Sequence, residues 1–80
     1  MATTITLEYP IEYNGQTIDT IELKRPKAGQ ILDSQNRKGS DADKEFALFA
    51  SLTGLAPAAL RELDIADYLA LQEAYKGFLS

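Results

Sequence analysis

The side chains able to do chemistry in this 80-residue sequence are mostly carboxylates, twelve Asp and Glu in all. Two pairs stand close together in the sequence: Asp41 with Asp43, and Asp64 with Asp67. Such a pair would hold Mg2+ through its oxygens, or divide the roles of general acid and general base. Both pairs also stand where a helix is expected to begin. Acids are selected there because their oxygens accept the free N–H groups of the first turn and favour the positive end of the dipole. Helix capping is therefore the reading preferred for both. The stretch from Asp33 to Asp41 lacks the alternating ligands and the sixth-position Gly of an EF-hand. None of the five glycines falls in a Walker or dinucleotide-binding motif. His, Cys and Trp are absent altogether. That removes Ser-His-Asp and Cys-His nucleophiles, thiol redox chemistry, disulfide staples and zinc sites built on Cys or His. No catalytic residue, cofactor, metal or small-molecule substrate is predicted.

The charges are arranged in blocks. Residues 1–23 sum to −4, residues 24–38 to +4, and residues 39–80 to −4 again. A net charge of −4 and a pI near 4.6 argue against a protein that binds phosphates. The basic block, led by Lys24, Arg25 and Lys27, has two readings: a solvated linker, or a patch for an acidic partner. Met1-Ala2-Thr3-Thr4 carries no basic n-region, and no apolar run approaches the ~20 residues of a membrane span. The expectation is a chain that stays in the cytosol that made it, with no membrane partner.

These groups must be positioned by a small α+β domain covering residues 1–80. It is read as an N-terminal two-stranded antiparallel β-hairpin (4–25) with a helical part (26–80) of three to four short helices packed on it. Ile5, Leu7, Tyr9, Ile11 and Tyr13 alternate with polar residues, the period of a half-buried strand. Asn14-Gly15 is a strong hairpin turn, because both residues tolerate positive φ. In the second strand, Ile18 is out of phase with Ile21 and Leu23. A longer turn, or a bulge near Asp19-Thr20, would pair Ile21 with Tyr9 and Leu23 with Leu7, leaving Ile18 outward. Pro10 marks its strand as an edge.

Pro26 is expected in the first turn of a helix over 26–35. Ser40 with Asp43 resembles a capping box, opening a helix that carries Phe46, Leu48, Phe49, Ala50 and Leu52 and ends at Gly54. Pro57 opens a short helix to Leu63. Asp64 caps the last helix, which fray is expected to loosen near Gly77. The small residue Ala50, four positions before Gly54, also has the spacing of a helix-turn-helix, with Leu60 and Leu63 as buried positions. The helix that would read DNA offers Arg61 alone, flanked by Glu62 and Asp64, so nucleic acid is not the expected partner. Tyr68, Leu71, Tyr75, Phe78 and Leu79 form a stripe along the last helix. It reads as core, as an adhesive surface for another chain, or as each at different ends.

Taken together, the alternating first strand, YNGQTIDTIELKRPKAGQIL and FALFASLTGLAPAALRELDIADYLALQEAYKGFL resemble the small tail assembly chaperone family of Mu-like and related contractile-tailed phages. The most specific stretches are Ile21 to Pro26, Leu52 to Leu55, and Asp64 to Tyr68 with Leu71-Gln72-Glu73. The resemblance implies a non-enzymatic factor, phage or prophage encoded, that binds the tape measure protein during tail morphogenesis and is absent from the mature virion. It also implies a longer, frameshift-extended form as a further partner, since Gly77-Phe78-Leu79 is compatible with a T-run in the gene. The alternatives are a small DNA-binding regulator and a minor structural tail or baseplate protein. The candidate partner-binding residues are Tyr68, Leu71, Tyr75, Phe78 and Leu79, with Lys24, Arg25 and Lys27.

Overall fold

In the computed structural model, which describes residues 2–79, apolar residues alternating with Thr and Glu build strand β1 (Ala2–Tyr13). Asn14 and Gly15, at φ 52° and 77°, turn it back into β2 (Gln16–Lys24). These angles are those of a two-residue turn matched to the strand twist. The longer turn expected from the pattern is therefore absent, and the phase conflict is resolved elsewhere. Tyr13 pairs with Gln16, Glu12 with Thr17 and Ile11 with Ile18; the ladder then breaks and resumes with Thr6 opposite Thr20 and Ile5 opposite Ile21. Four residues of β1, Leu7-Glu8-Tyr9-Pro10, lie against Asp19 alone. The irregularity thus sits in β1, across from the place expected in β2.

This bulge changes which residues face inward. Leu7, Ile11, Ile21 and Leu23 are buried, whereas Tyr9 is 55% exposed and Ile18 is half-buried rather than outward. Leu23 pairs with Thr3, not with Leu7. Pro10 fits the bulge because it has no N–H to offer the ladder.

The helices cover the apolar face of the hairpin. Helix α1 (Ala28–Gln35) starts after Lys27, whose N–H donates to Gln30 Oε1 at 3.0 Å, so Pro26 lies just before the helix and not in its first turn. Helix α2 (Asp41–Thr53) opens on the expected capping box. Ser40 Oγ accepts the Asp43 N–H at 3.2 Å, and Asp43 Oδ2 accepts the Ser40 N–H at 3.1 Å. It ends at Gly54, in the left-handed conformation. Helix α3 (Pro57–Leu60) is a single turn and stops short of Leu63. Helix α4 (Ile65–Leu79) is started by Asp64, whose Oδ1 accepts the Ala66 N–H at 2.9 Å, and it continues through Gly77.

Phe49, Leu23, Leu52, Leu60 and Leu71 are fully enclosed where β2, α2, α3 and α4 meet, with Leu7, Ile21 and Leu48 around them. Burial of each such side chain is worth roughly 1.5–3 kcal/mol. The core is small, and it draws on both strands and on all the helices except α1, which adds only the half-buried Ile31.

Asp67 joins the two halves. Its carboxylate, 2% exposed, accepts the N–H of Glu8 through Oδ1 at 2.9 Å and that of Tyr9 through Oδ2 at 3.0 Å. These donors belong to the bulge, where they have left the ladder. A buried carboxylate is tolerated when backbone N–H groups satisfy it, and the bulge is tolerated because its donors are not orphaned. Asp67 stands in the first turn of α4, as its sequence position predicts, and its oxygens in addition serve a strand 59 and 58 residues away.

Candidate functional site

Three of the four acids singled out in the sequence bond backbone N–H groups. Asp43 and Asp64 cap helices, Asp67 holds the bulge, and no group of three or more Asp, Glu, His or Cys among the described residues could hold a metal ion. No helix is long and apolar enough to cross a membrane among those residues. The corner between α2 and α3 has helix-turn-helix spacing in sequence, but α3 spans four residues, one turn, with Arg61 at its C-cap. A recognition helix needs several exposed turns to lie along a groove.

The stripe on α4 divides along its length. Leu71 has none of its surface exposed and packs in the core, so its side chain makes no surface in this fold. Tyr68 and Tyr75 are half-buried and flank Phe49 edge-on, with ring centroids at 5.9 and 5.5 Å. Phe46 stacks obliquely on Tyr68 at 5.2 Å. Ring pairs of this geometry add about 0.5–1.5 kcal/mol beyond the area they bury.

The Tyr68 hydroxyl donates to Glu45 Oε1 at 2.7 Å, and the Gln72 side-chain amide donates to the same oxygen at 2.6 Å. Burial, and then the Glu45 carboxylate beside it, hold the Tyr68 phenol well above its usual pKa. Sequence reasoning missed Glu45 and Gln72. The i,i+4 spacing of Tyr68 and Gln72 on one helix face was the available clue.

Beyond Tyr75 the stripe reaches the surface. Leu79 is 60% exposed, and Phe78 is half-buried with the Arg25 guanidinium 5.6 Å from its ring centre. This cation–π contact brings together two sets of candidates that are distant in sequence: the end of the stripe, and the first cations of the basic block. Lys24, Arg25 and Lys27 are exposed around a shallow concavity shared with Ala2 and Pro26.

A separate open groove of about 500 Å3 runs between α1, α2 and the last turns of α4. Ile31, Leu48, Phe49, Tyr75 and Leu79 supply its apolar lining, and Lys44, Glu45 and Gln72 are among its polar groups. Such a channel, apolar within and polar at the margin, is the form that accepts an apolar helix face from another chain. Tyr75 and Leu79 were visible as candidates in the sequence. Ile31, Leu48 and Phe49 read there only as helix core, because nothing local shows that α1 and α4 stand apart over α2.

No curated protein and no solved structure matches the chain. The family model described as "Phage tail assembly chaperone proteins, E, or 41 or 14" matches residues 4–80, a span that takes in the hairpin and every helix. A match over nearly the whole chain places this protein in the family of phage tail assembly chaperones.

Proposed function

We propose that this protein binds the tape measure protein during tail morphogenesis and keeps it soluble until tube subunits enclose it. The observation that carries the reading is family membership over residues 4–80. The groove supports it: an extended helical partner exposes apolar side chains, and a groove lined by Tyr75, Leu79, Ile31 and Leu48 can cover them. The action is binding rather than catalysis. It requires no cofactor, metal, nucleic acid, membrane or small-molecule substrate, and it takes place in the host cytoplasm with release before the virion is complete. An acidic surface helps keep the coated partner dispersed. Tyr75, Phe78 and Leu79, with Lys24, Arg25 and Lys27 beside them, are the proposed contact residues. Tyr68 and Leu71, nearer the start of α4, pack it on the core.

Co-expression with the tape measure protein encoded by the same phage tests the reading. The expected result is that the two co-purify and that more of the tape measure protein is recovered in the soluble fraction. Recovery of neither effect overturns it. Leu79→Glu and Tyr75→Glu should each reduce the co-purified amount, whereas Glu12→Lys, on the far hairpin, should not.

A further inference from the structure

The basic block of the sequence is not one surface in the folded chain. Lys24, Arg25 and Lys27 lie at the junction of β2 and α1, while Arg37 and Lys38, on the loop after α1, line a different concavity together with Arg61. This second concavity, of about 490 Å3, has Phe46 of α2 and Pro57 of α3 in its lining. It lies across α2 from the groove. Leu48 and Phe49 face the groove, and Phe46 faces this side.

Three cations converge here, although the chain as a whole is at −4. Asp43 is the acid in the lining, and its Oδ2 already accepts the Ser40 N–H. No ion pair joins Arg37, Lys38 or Arg61 to an acid among the described residues. The loop that presents two of the cations is held in position. The Arg37 N–H donates to the Ser34 carbonyl at 3.3 Å. Gly39 sits at φ 128°, so close to α2 that a Cβ on it would fall 2.8 Å from Asp43 Oδ2. A side chain there would be strained in backbone and would press on the capping box. Arg37 and Lys38 are thus carried by a loop whose path is set by the α2 N-terminus, and Arg61 by the C-cap of α3, which lowers the ordering cost of binding.

We infer that this concavity binds an acidic segment of the partner chain, one with Asp or Glu beside an apolar side chain. The carboxylates pair with Arg37, Lys38 and Arg61, Arg being suited to bidentate contact, and the apolar side chain lies on Phe46 and Pro57. A nucleic acid fits less well. Its affinity grows with the number of phosphates neutralised, and here Asp43 shares the lining with the cations and Glu62 adjoins Arg61. The identity of the partner rests on the tape measure reading; the chemistry of the segment rests on the concavity.

The test is an array of overlapping peptides covering the tape measure protein, probed with the labelled wild-type chain and with Arg37→Glu/Lys38→Glu/Arg61→Glu. The wild type should capture acidic peptides with interspersed apolar residues. Charge reversal should weaken that capture at least about tenfold, and raising salt to about 300 mM should weaken it too. If circular dichroism shows the triple variant unfolded, Lys38→Ala and Arg61→Ala are measured instead, each with an expected loss of several-fold. Equal capture by wild type and variants, or capture of no peptide, overturns the inference. Full-length co-purification by the wild type would leave the partner reading standing in either case, and its absence would remove both. Duplex DNA bound as tightly as the best peptide also overturns the assignment to a peptide.

Discussion

Helices α2 and α4 both begin with two acids three or fewer residues apart, yet the acids do different work. At α2 the exchange is local: Ser40 and Asp43 satisfy each other's backbone N–H at the solvent-exposed start of one helix. At α4, Asp64 caps its own helix, while Asp67 is buried and bonds Glu8 and Tyr9 on the strand beneath. A carboxylate on a helix start serves whichever N–H groups lack a partner nearby. At α2 these are the helix's own. At α4 the bulge in β1 supplies two more, and the packing of α4 on β1 brings Asp67 to them.

The contrast is broken most severely by Asp67→Ala. It leaves two N–H groups of the bulge without their acceptor in a part-buried site, and at roughly 1–3 kcal/mol each the total is about 2–6 kcal/mol. Urea unfolding should show that loss, and amide exchange at Glu8 and Tyr9 should quicken beyond the rest of β1. Asp67→Asn keeps one acceptor oxygen and should cost about half as much. By the same measurement, Asp43→Ala should cost about 1 kcal/mol, with exchange quickened only at the first turn of α2. A larger loss from Asp43→Ala than from Asp67→Ala would contradict the distinction drawn between the two sites.

Tyr68 sharpens the comparison, because it follows Asp67 on α4 and hydrogen-bonds Glu45 on α2. Tyr68→Phe should cost about 0.5–1.5 kcal/mol at neutral pH. The folded chain holds the Tyr68 proton more tightly than the unfolded chain, where the phenol titrates near about pH 10. Stability from this group is therefore complete below about pH 10 and declines as pH rises above it. Thermal unfolding followed from neutral to alkaline pH should show a smaller decline in Tyr68→Phe than in the wild type.

How much of this was legible in the sequence follows from the range of each interaction. The Asn14-Gly15 turn, the Ser40–Asp43 box, the Gly54 stop and the Asp64 cap are made by residues within four positions of one another, and all were readable. The register of the hairpin was not. Strict alternation from Ile5 to Tyr13 suggested a regular strand, and only the acceptor on Asp67 makes it feasible for Glu8 and Tyr9 to leave the ladder. Tyr9 was consequently assigned to the wrong face, and the irregularity to the wrong strand.

The same limit applies to the surfaces. Helical spacing on α4 groups Tyr75, Phe78 and Leu79, which keep exposed surface, with Leu71, which is enclosed, because a stripe broader than the core cannot show which members are buried. The charge block at 24–38 was visible as a block. Its division between Arg25 on Phe78 and Arg37 with Arg61 depends on where α1 turns the chain.

If this chain holds the tape measure protein in solution by contact alone, as we propose, the effect is visible by light scattering when denatured tape measure protein is diluted into buffer with and without the stoichiometric purified chain and with no nucleotide present. Scattering should stay near baseline with the wild-type chain and rise again with Leu79→Glu. Scattering that rises equally fast with and without the wild-type chain would contradict it.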